Sequence, residues 1–263
     1  MIDFSQKYTL INGDATTNSI IKPNTVDLIV TSPPYNIGMG YTENEEDDCI
    51  DYSDYLQFSY DWLKNCFDWT KHTGRLCLDI ALCTAKYGSR PISADITRIA
   101  MVAGWKFRFN IVWHSGNVAR RTAWGSWMSP SAPHVSAPVD TIIVFFKDDW
   151  KLNRKGESDI TAEEFKEWVL GVWTFPGESA KRIGHAAPFP RKLPNRCIKL
   201  FSYKGDTVLD PFAGSGTTLI EAINNDRYAI GIEKQMKYCD LIEKRLSKEC
   251  GMLQRSLFEN NNK

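Results

Sequence analysis

The chain has 263 residues, 43% hydrophobic and 24% charged, with 32 basic and 32 acidic side chains and a formal net charge of zero. That length allows a full hydrophobic core, and the even charge balance excludes a protein held to nucleic acid by bulk charge alone. No run approaches the roughly 18 uninterrupted apolar residues of a membrane span, and Met1-Ile2-Asp3-Phe4-Ser5 carries no leader pattern, so a cytoplasmic protein with no membrane partner is expected.

Tyr8-Thr9-Leu10-Ile11 reads as a short strand ending at Asn12-Gly13-Asp14-Ala15, and Val26–Thr31 as a buried strand running into Ser32-Pro33-Pro34-Tyr35. Residues 38–53 turn from glycine-bearing to acidic and read as a surface loop; residues 41–61 hold eight acids and no Lys or Arg. Apolar residues at helical spacing predict a helix from Tyr55 to Trp69, with Gly74 as its stop and Arg75–Ala81 as a third buried strand. Ile92–Ala103 is a second amphipathic helix, stopped by Gly104. Phe107–Trp113 and Asp140–Lys147 read as strands able to pair antiparallel across an irregular segment, 114–139.

Residues 148–190 are polar and loop-rich apart from a short helix over 161–170, and Trp124, Trp127 and Trp173 are expected to form local cores. A helix over Pro188–Tyr203 leads into a strand from Thr207, followed by helix Thr217–Asn224, strand Tyr228–Ile232 and a closing helix Gln235–Ser247. The alternation of strand and helix implies an α/β fold with a mostly parallel sheet, one antiparallel strand and helices on both faces. Seven cysteines without a CxxC pair, in mostly apolar contexts, read as reduced buried thiols, and the scattered histidines at 72, 114, 134 and 185 suggest no metal site.

Two strand-to-turn motifs carry the chemistry. Thr207-Val208-Leu209-Asp210 runs into Pro211-Phe212-Ala213-Gly214-Ser215-Gly216-Thr217, a turn whose glycines let the backbone approach a ligand closely. Glu233 closes the next strand, where an acid can accept hydrogen bonds from both hydroxyls of a ribose. Leu219 stands where a dinucleotide fingerprint has Gly or Ala, and no P-loop lysine follows, so a nucleoside without pyrophosphate fits better. In the other motif, Ser32 Oγ and the Pro33 carbonyl are two acceptors suited to an exocyclic amino group. Bound through both N–H groups, that nitrogen is pulled toward tetrahedral geometry and its lone pair is freed from the ring. The Pro33-Pro34 unit fixes the carbonyl direction, and Tyr35 can stack on an extruded base.

Together these motifs resemble the S-adenosylmethionine-dependent DNA amino-methyltransferases, which methylate cytosine N4 or adenine N6. The catalytic motif precedes the glycine motif here, the order of their beta group. The resemblance implies a Rossmann-like methyltransferase fold and S-adenosylmethionine held by Asp14, Ala15, Asp210, Phe212, Gly214, Gly216, Thr217 and Glu233. His185 and Pro188, in His185-Ala186-Ala187-Pro188-Phe189-Pro190, are expected around the methionine end, Ala186 standing where the family usually has proline. Ser32, Pro33, Pro34 and Tyr35 are the catalytic residues, acting on a flipped base by direct in-line transfer. Serine at this position is associated in the family with cytosine N4, Asp or Asn with adenine N6.

The chain then divides into a catalytic part (1–113), a target-recognition region (114–184, with strand 140–147 belonging to the sheet), a cofactor-binding part (185–250) and a tail (251–263). Residues 113–200 hold 13 bases against nine acids, and Arg120, Arg121, Arg154, Lys155, Lys181 and Arg182 are the DNA-contact candidates. Double-stranded DNA is the implied partner; a homodimer and a cognate restriction endonuclease stay open. Adenine-N6 methylation is the nearest alternative, and a DNA-binding specificity or partner protein with a vestigial cofactor site is the second.

Overall fold

The computed structural model describes residues 7–37, 50–84, 90–116, 125–133, 135, 139–179, 183–184, 188 and 190–251. Its strands are β1 (Tyr8–Asn12), β2 (Val26–Thr31), β3 (Thr70–Ala81), β4 (Lys106–His114), β5 (Val139–Phe146), β6 (Val172–Thr174), β7 (Thr207–Asp210) and β8 (Tyr228–Glu233). They form one eight-stranded sheet in the order β1-β8-β7-β2-β3-β5-β4-β6. Only β5 runs against its neighbours, pairing antiparallel with both β3 and β4; every other pairing is parallel. The carboxyl ends of the remaining seven strands therefore share one edge of the sheet, where ligands of open α/β folds bind.

The strands are apolar on both sides, so each face needs a cover. Leu76, Leu78, Ile80, Ile143, Phe145 and Leu209 face α1 (Tyr52–Trp69) and α2 (Ile92–Val102), joining Trp62, Leu63, Ile92 and Ile96 in one core. Cys77, Ile142, Val144 and Val208 face the other way. They pack with residues of α4 (Lys192–Phe201), α5 (Thr217–Asn224) and α6 (Met236–Cys250), among them Leu193, Ile220 and Ile242; the short α3 (Ala162–Trp168) adds Trp168 to this core. Each fully buried aliphatic side chain of these two cores stabilises the fold by about 1.5–3 kcal/mol relative to exposure.

Four expectations are corrected. Gly74 is not a helix stop: β3 begins at Thr70, directly after α1, and runs through it. Between the pairings Val26↔Thr70 and Leu28↔Arg75 the register shifts, β3 advancing five residues while β2 advances two. At that irregularity a Cβ on Gly74 would lie 2.3 Å from Thr70 Cγ2 and 2.9 Å from the Lys71 carbonyl, so the glycine serves close packing inside the strand. The stretch 148–190 hides β6, a strand of three residues, too short to show an alternation, which extends the sheet beside β4. The helix placed at Pro188 starts at Lys192. Trp173 is buried as expected, but Trp127 is 66% exposed and belongs to no core. Trp124 and most of the 38–53 loop lie outside the described residues.

Candidate active site

Five strand ends line the shared edge in spatial order: β1 with Asp14 just beyond it, β8 with Glu233, β7 with Asp210, β2 with Ser32 just beyond it, and β3 with Asp79. The two sequence motifs thus meet on adjoining strands. The Thr31 hydroxyl donates to Asp210 Oδ1 at 2.8 Å, joining residues 179 positions apart. Asp210 also accepts from the Phe212 amide at 3.1 Å, so one carboxylate shapes its own turn and ties it to the catalytic strand. Burial pushes the pKa of Asp210 up to about 6, against hydrogen bonds that favour its ionised form. Its Oδ2 is sealed from solvent without a well-aligned donor.

Helix α1 crosses over all three loops. Tyr55 Oη donates to the Pro34 carbonyl at 3.0 Å, and Asn65 donates to the Ala15 carbonyl at 2.9 Å. Trp62 meets Phe212 edge-on with ring centroids 5.2 Å apart, and Phe58 lies 6.0 Å from the same ring. The helical spacing of Tyr55, Phe58, Trp62 and Asn65 gives one helix face that braces the catalytic turn, the cofactor turn and the loop after β1 together.

On the cofactor side, Glu233 Oε2 accepts from the Gly214 amide and Oε1 from the Gln235 amide, each at 2.8 Å. Burial raises its pKa against these bonds. A carboxylate oxygen accepts more than one hydrogen bond, so capacity for a diol remains. Asp14 is fixed by the Thr16 amide at 2.9 Å, the Thr16 hydroxyl at 2.8 Å and an ion pair with Lys234 at 3.2 Å. Burial opposes its ionisation, but these partners outweigh it and hold its pKa below the usual value. Gly214 and Gly216 adopt positive φ, +52° and +77°, and a Cβ on Gly216 would come within 3.0 Å of Ile242. The turn therefore closes onto α6 only with glycine there. Thr217 opens α5 with its hydroxyl toward Ser215 and Arg245.

On the catalytic side, Ser32 Oγ lies 2.9 Å from Tyr35 Oη, and Tyr35 Oη lies 3.4 Å from both the carbonyl and Oδ2 of Asp79. Pro33 is buried and Pro34 half-buried. Asp79 is 2% exposed, and burial together with the Asp140 carboxyl on β5 pushes its pKa well above the carboxylate range. Sequence reasoning passed over Asp79. The signal was there: an acid near the end of the otherwise apolar run Leu76-Cys77-Leu78-Asp79-Ile80-Ala81.

Not every candidate reaches this edge. Arg154 pairs with Asp206 at 2.6 Å and Asp27 at 3.1 Å, where β7 and β2 begin, at the opposite end of the sheet. Two carboxylates occupy its guanidinium, so as a DNA contact it is corrected to a structural residue, and exposed Lys155 adjoins it in the chain. Pro188 is half-buried; His185, Arg120, Arg121, Lys181 and Arg182 lie outside the described residues.

A mostly parallel sheet with a glycine turn, paired carboxylates at neighbouring strand tips and a Ser-Pro-Pro-Tyr turn beside them defines a nucleoside-cofactor transferase. A DNA methylase model, that of the N6/N4 amino-methyltransferases, matches residues 26–244. The chain belongs to this family of DNA methyltransferases, and its cofactor is S-adenosylmethionine. It is 53% identical over 175 residues to the type II methyltransferase M.MjaVI of Methanocaldococcus jannaschii, covering 66% of this chain and 89% of that one. To M.HpaI of Haemophilus parainfluenzae it is 28% identical over 240 residues, 87% of this chain and 70% of that one. The DNA modification methylase TTHA0409 of Thermus thermophilus, solved with S-adenosyl-L-methionine, superposes with a TM-score of 0.73 at 26% identity, covering 93% of this chain and 96% of that one. The cytosine-N4-specific PvuII DNA methyltransferase shares the fold, with a TM-score of 0.68 at 20% identity, covering 97% of this chain and 88% of that one. Among the described residues no helix is long and apolar enough to cross a membrane.

The residues present suit the cofactor. Asp14 and Glu233 offer carboxylates at adjacent tips for the adenosine moiety, Phe212 an apolar wall, and the turn at Gly214 a close backbone approach. When bound, S-adenosylmethionine supplies an electrophilic methyl group on a sulfonium centre.

Proposed function

We propose that this chain methylates the exocyclic N4 of cytosine within a short duplex sequence, with the base flipped out of the helix. The observation that carries this reading is Ser32: a hydroxyl, not a carboxylate or amide, stands at the tip of β2 beside the cofactor turn. Ser32 Oγ accepts one N–H of the target amino group and the Pro33 carbonyl accepts the other, which frees the nitrogen lone pair. Tyr55 holds the neighbouring Pro34 carbonyl, so the Pro-Pro turn is braced from α1. Catalysis then comes mostly from positioning, with no covalent enzyme intermediate.

A cavity of about 250 Å3 lies against Tyr35, lined by Asn36, Ile50, Asp51, Tyr52, Thr84 and Arg90, and offers room near Ser32 for an extruded base. A second, of about 450 Å3, opens at the carboxyl ends of β4 and β6 between Ser115-Gly116 and Thr174-Phe175-Pro176-Gly177. It borders the 114–139 segment on the same sheet edge as Ser32, which supports DNA recognition there, with Arg120, Arg121, Lys181 and Arg182 as the contacts.

Chromatography of nucleosides from duplex DNA treated with methyl-labelled cofactor tests the base. N4-methylcytosine is the expected product, and a 6-methyladenine peak would overturn the assignment.

A further inference from the structure

We propose that Asp79 is the terminal proton acceptor of the reaction, reached from Ser32 through the phenol of Tyr35. The inference rests on the reading of Ser32 as the residue that holds the target amino group. An amino nitrogen that gains a methyl group carries a positive charge until it loses a proton, so the site needs a route for that proton.

The hydrogen bonds give the route a direction. Tyr35 has a single hydroxyl proton, and Asp79 Oδ2 and the Asp79 carbonyl, each 3.4 Å away, can only accept it. The 2.9 Å contact between Ser32 and Tyr35 then has Ser32 as donor. With its proton committed toward Tyr35, Ser32 Oγ presents lone pairs outward, the orientation needed to accept an N–H. The 3.4 Å spacing is long, as hydrogen bonds of catalytic groups often are before substrate closes the site.

A nitrogen–carbon bond forms as the carbon–sulfur bond of the donor breaks, and the sulfonium becomes a neutral thioether. One N–H bond breaks and its proton passes to Ser32 Oγ; the Ser32 proton passes to Tyr35, and the Tyr35 proton to Asp79, which ends as a neutral acid.

Asp79 is suited to hold that proton. Its Oδ1 is buried without a hydrogen-bond partner, and a carboxylate denied water takes up a proton more readily than one in solvent. The groups facing it are Ser32 and Tyr35 from the catalytic turn, Asp140 from β5 and the Cys197 thiol from α4; none of these is a cation. Tyr35 thus has two uses, a ring face for the base and a hydroxyl for the relay. Asp79 acts through its neighbours and is a positioning and proton-accepting residue behind them.

The test is single-turnover methyl transfer by the full chain across pH 5–9, with Asp79→Asn and Tyr35→Phe, alongside cofactor affinity for each. The native rate should rise with pH through an ionisation above the ordinary carboxylate range. Asp79→Asn should lower the rate by about 10²–10⁴-fold and remove that limb, with cofactor affinity kept within about threefold. Tyr35→Phe keeps the ring and should lose a similar factor, and the double variant should be no slower than the slower single one. Retention of the limb and rate in Asp79→Asn, or near-native rates in Tyr35→Phe, would overturn the relay; should Asp79→Asn not fold, the Tyr35→Phe profile decides. The limb is read on whichever base the labelled product identifies, so a wrong base assignment and a wrong relay give different results.

Discussion

The Thr31 hydroxyl and the Asp210 carboxylate meet at 2.8 Å across the boundary between β2 and β7. One hydrogen bond thereby joins the strand that presents Ser32 to the strand that presents the glycine turn. Thr31→Val keeps the shape and removes the donor from a wholly buried carboxylate, which should cost about 1.5–3 kcal/mol of stability. Denaturant unfolding measures it, and an unchanged midpoint would show that the contact does not hold the two motifs together.

Asp210 also gives stability a pH dependence. Its folded pKa of about 6 lies above the value of 3.8 for a free carboxyl, so the folded state binds the proton more tightly. The contribution is fully present below pH 3.8 and is lost as pH rises through about 6. Relative to Asp210→Asn, the native chain should lose unfolding free energy between about pH 4 and pH 6. Parallel stability curves for the two chains over that window would contradict the burial argument.

Glu233 holds the Gly214 and Gln235 amides and has lone pairs left for the cofactor's ribose. Glu233→Ala removes both functions. S-adenosylmethionine affinity measured by calorimetry should weaken at least about tenfold, equivalent to roughly 1.4 kcal/mol. The methylated DNA sequence should stay the same, because no base contact is assigned to this residue; a changed target sequence would refute that separation.

Arg227 supplies a control far from the chemistry. It is wholly buried, and its guanidinium donates to Asp159 at 2.7 Å, to the Ser202 carbonyl at 2.7 Å and to the Ser202 hydroxyl at 3.1 Å. Arg227→Met strands Asp159 without its cation, and breaking a buried pair on one side costs about 3–5 kcal/mol. Thermal unfolding should shift accordingly while single-turnover methylation at low temperature stays near native. A slowed chemical step in folded protein would argue against this division.

The strands that carry the site were legible because each is a short β-branched run ending in a strong turn signal. Val26–Thr31 and Thr217–Asn224 fall where the sequence places them. Gly74 misled because glycine is also used where strands crowd, and β6 is too short to show a period. Ser32, Glu233 and the glycines sit in local motifs and could be read directly. Asp79 and the bracing face of α1 work only through contacts between distant residues, such as Asn65 to Ala15 and Tyr55 to Pro34, which no local pattern records. Arg154 shows the converse: a basic loop residue that looked free was already neutralised by Asp27 and Asp206.

The role of Ser32 is tested most directly by Ser32→Ala, assayed for single-turnover methyl transfer to duplex DNA and for S-adenosylmethionine binding in the same preparation. The rate should fall by at least about a hundredfold, some 2.7 kcal/mol of transition-state stabilisation, with cofactor affinity essentially native. Equal losses in rate and affinity, or a near-native rate, would contradict the placement of Ser32 at the target amino group.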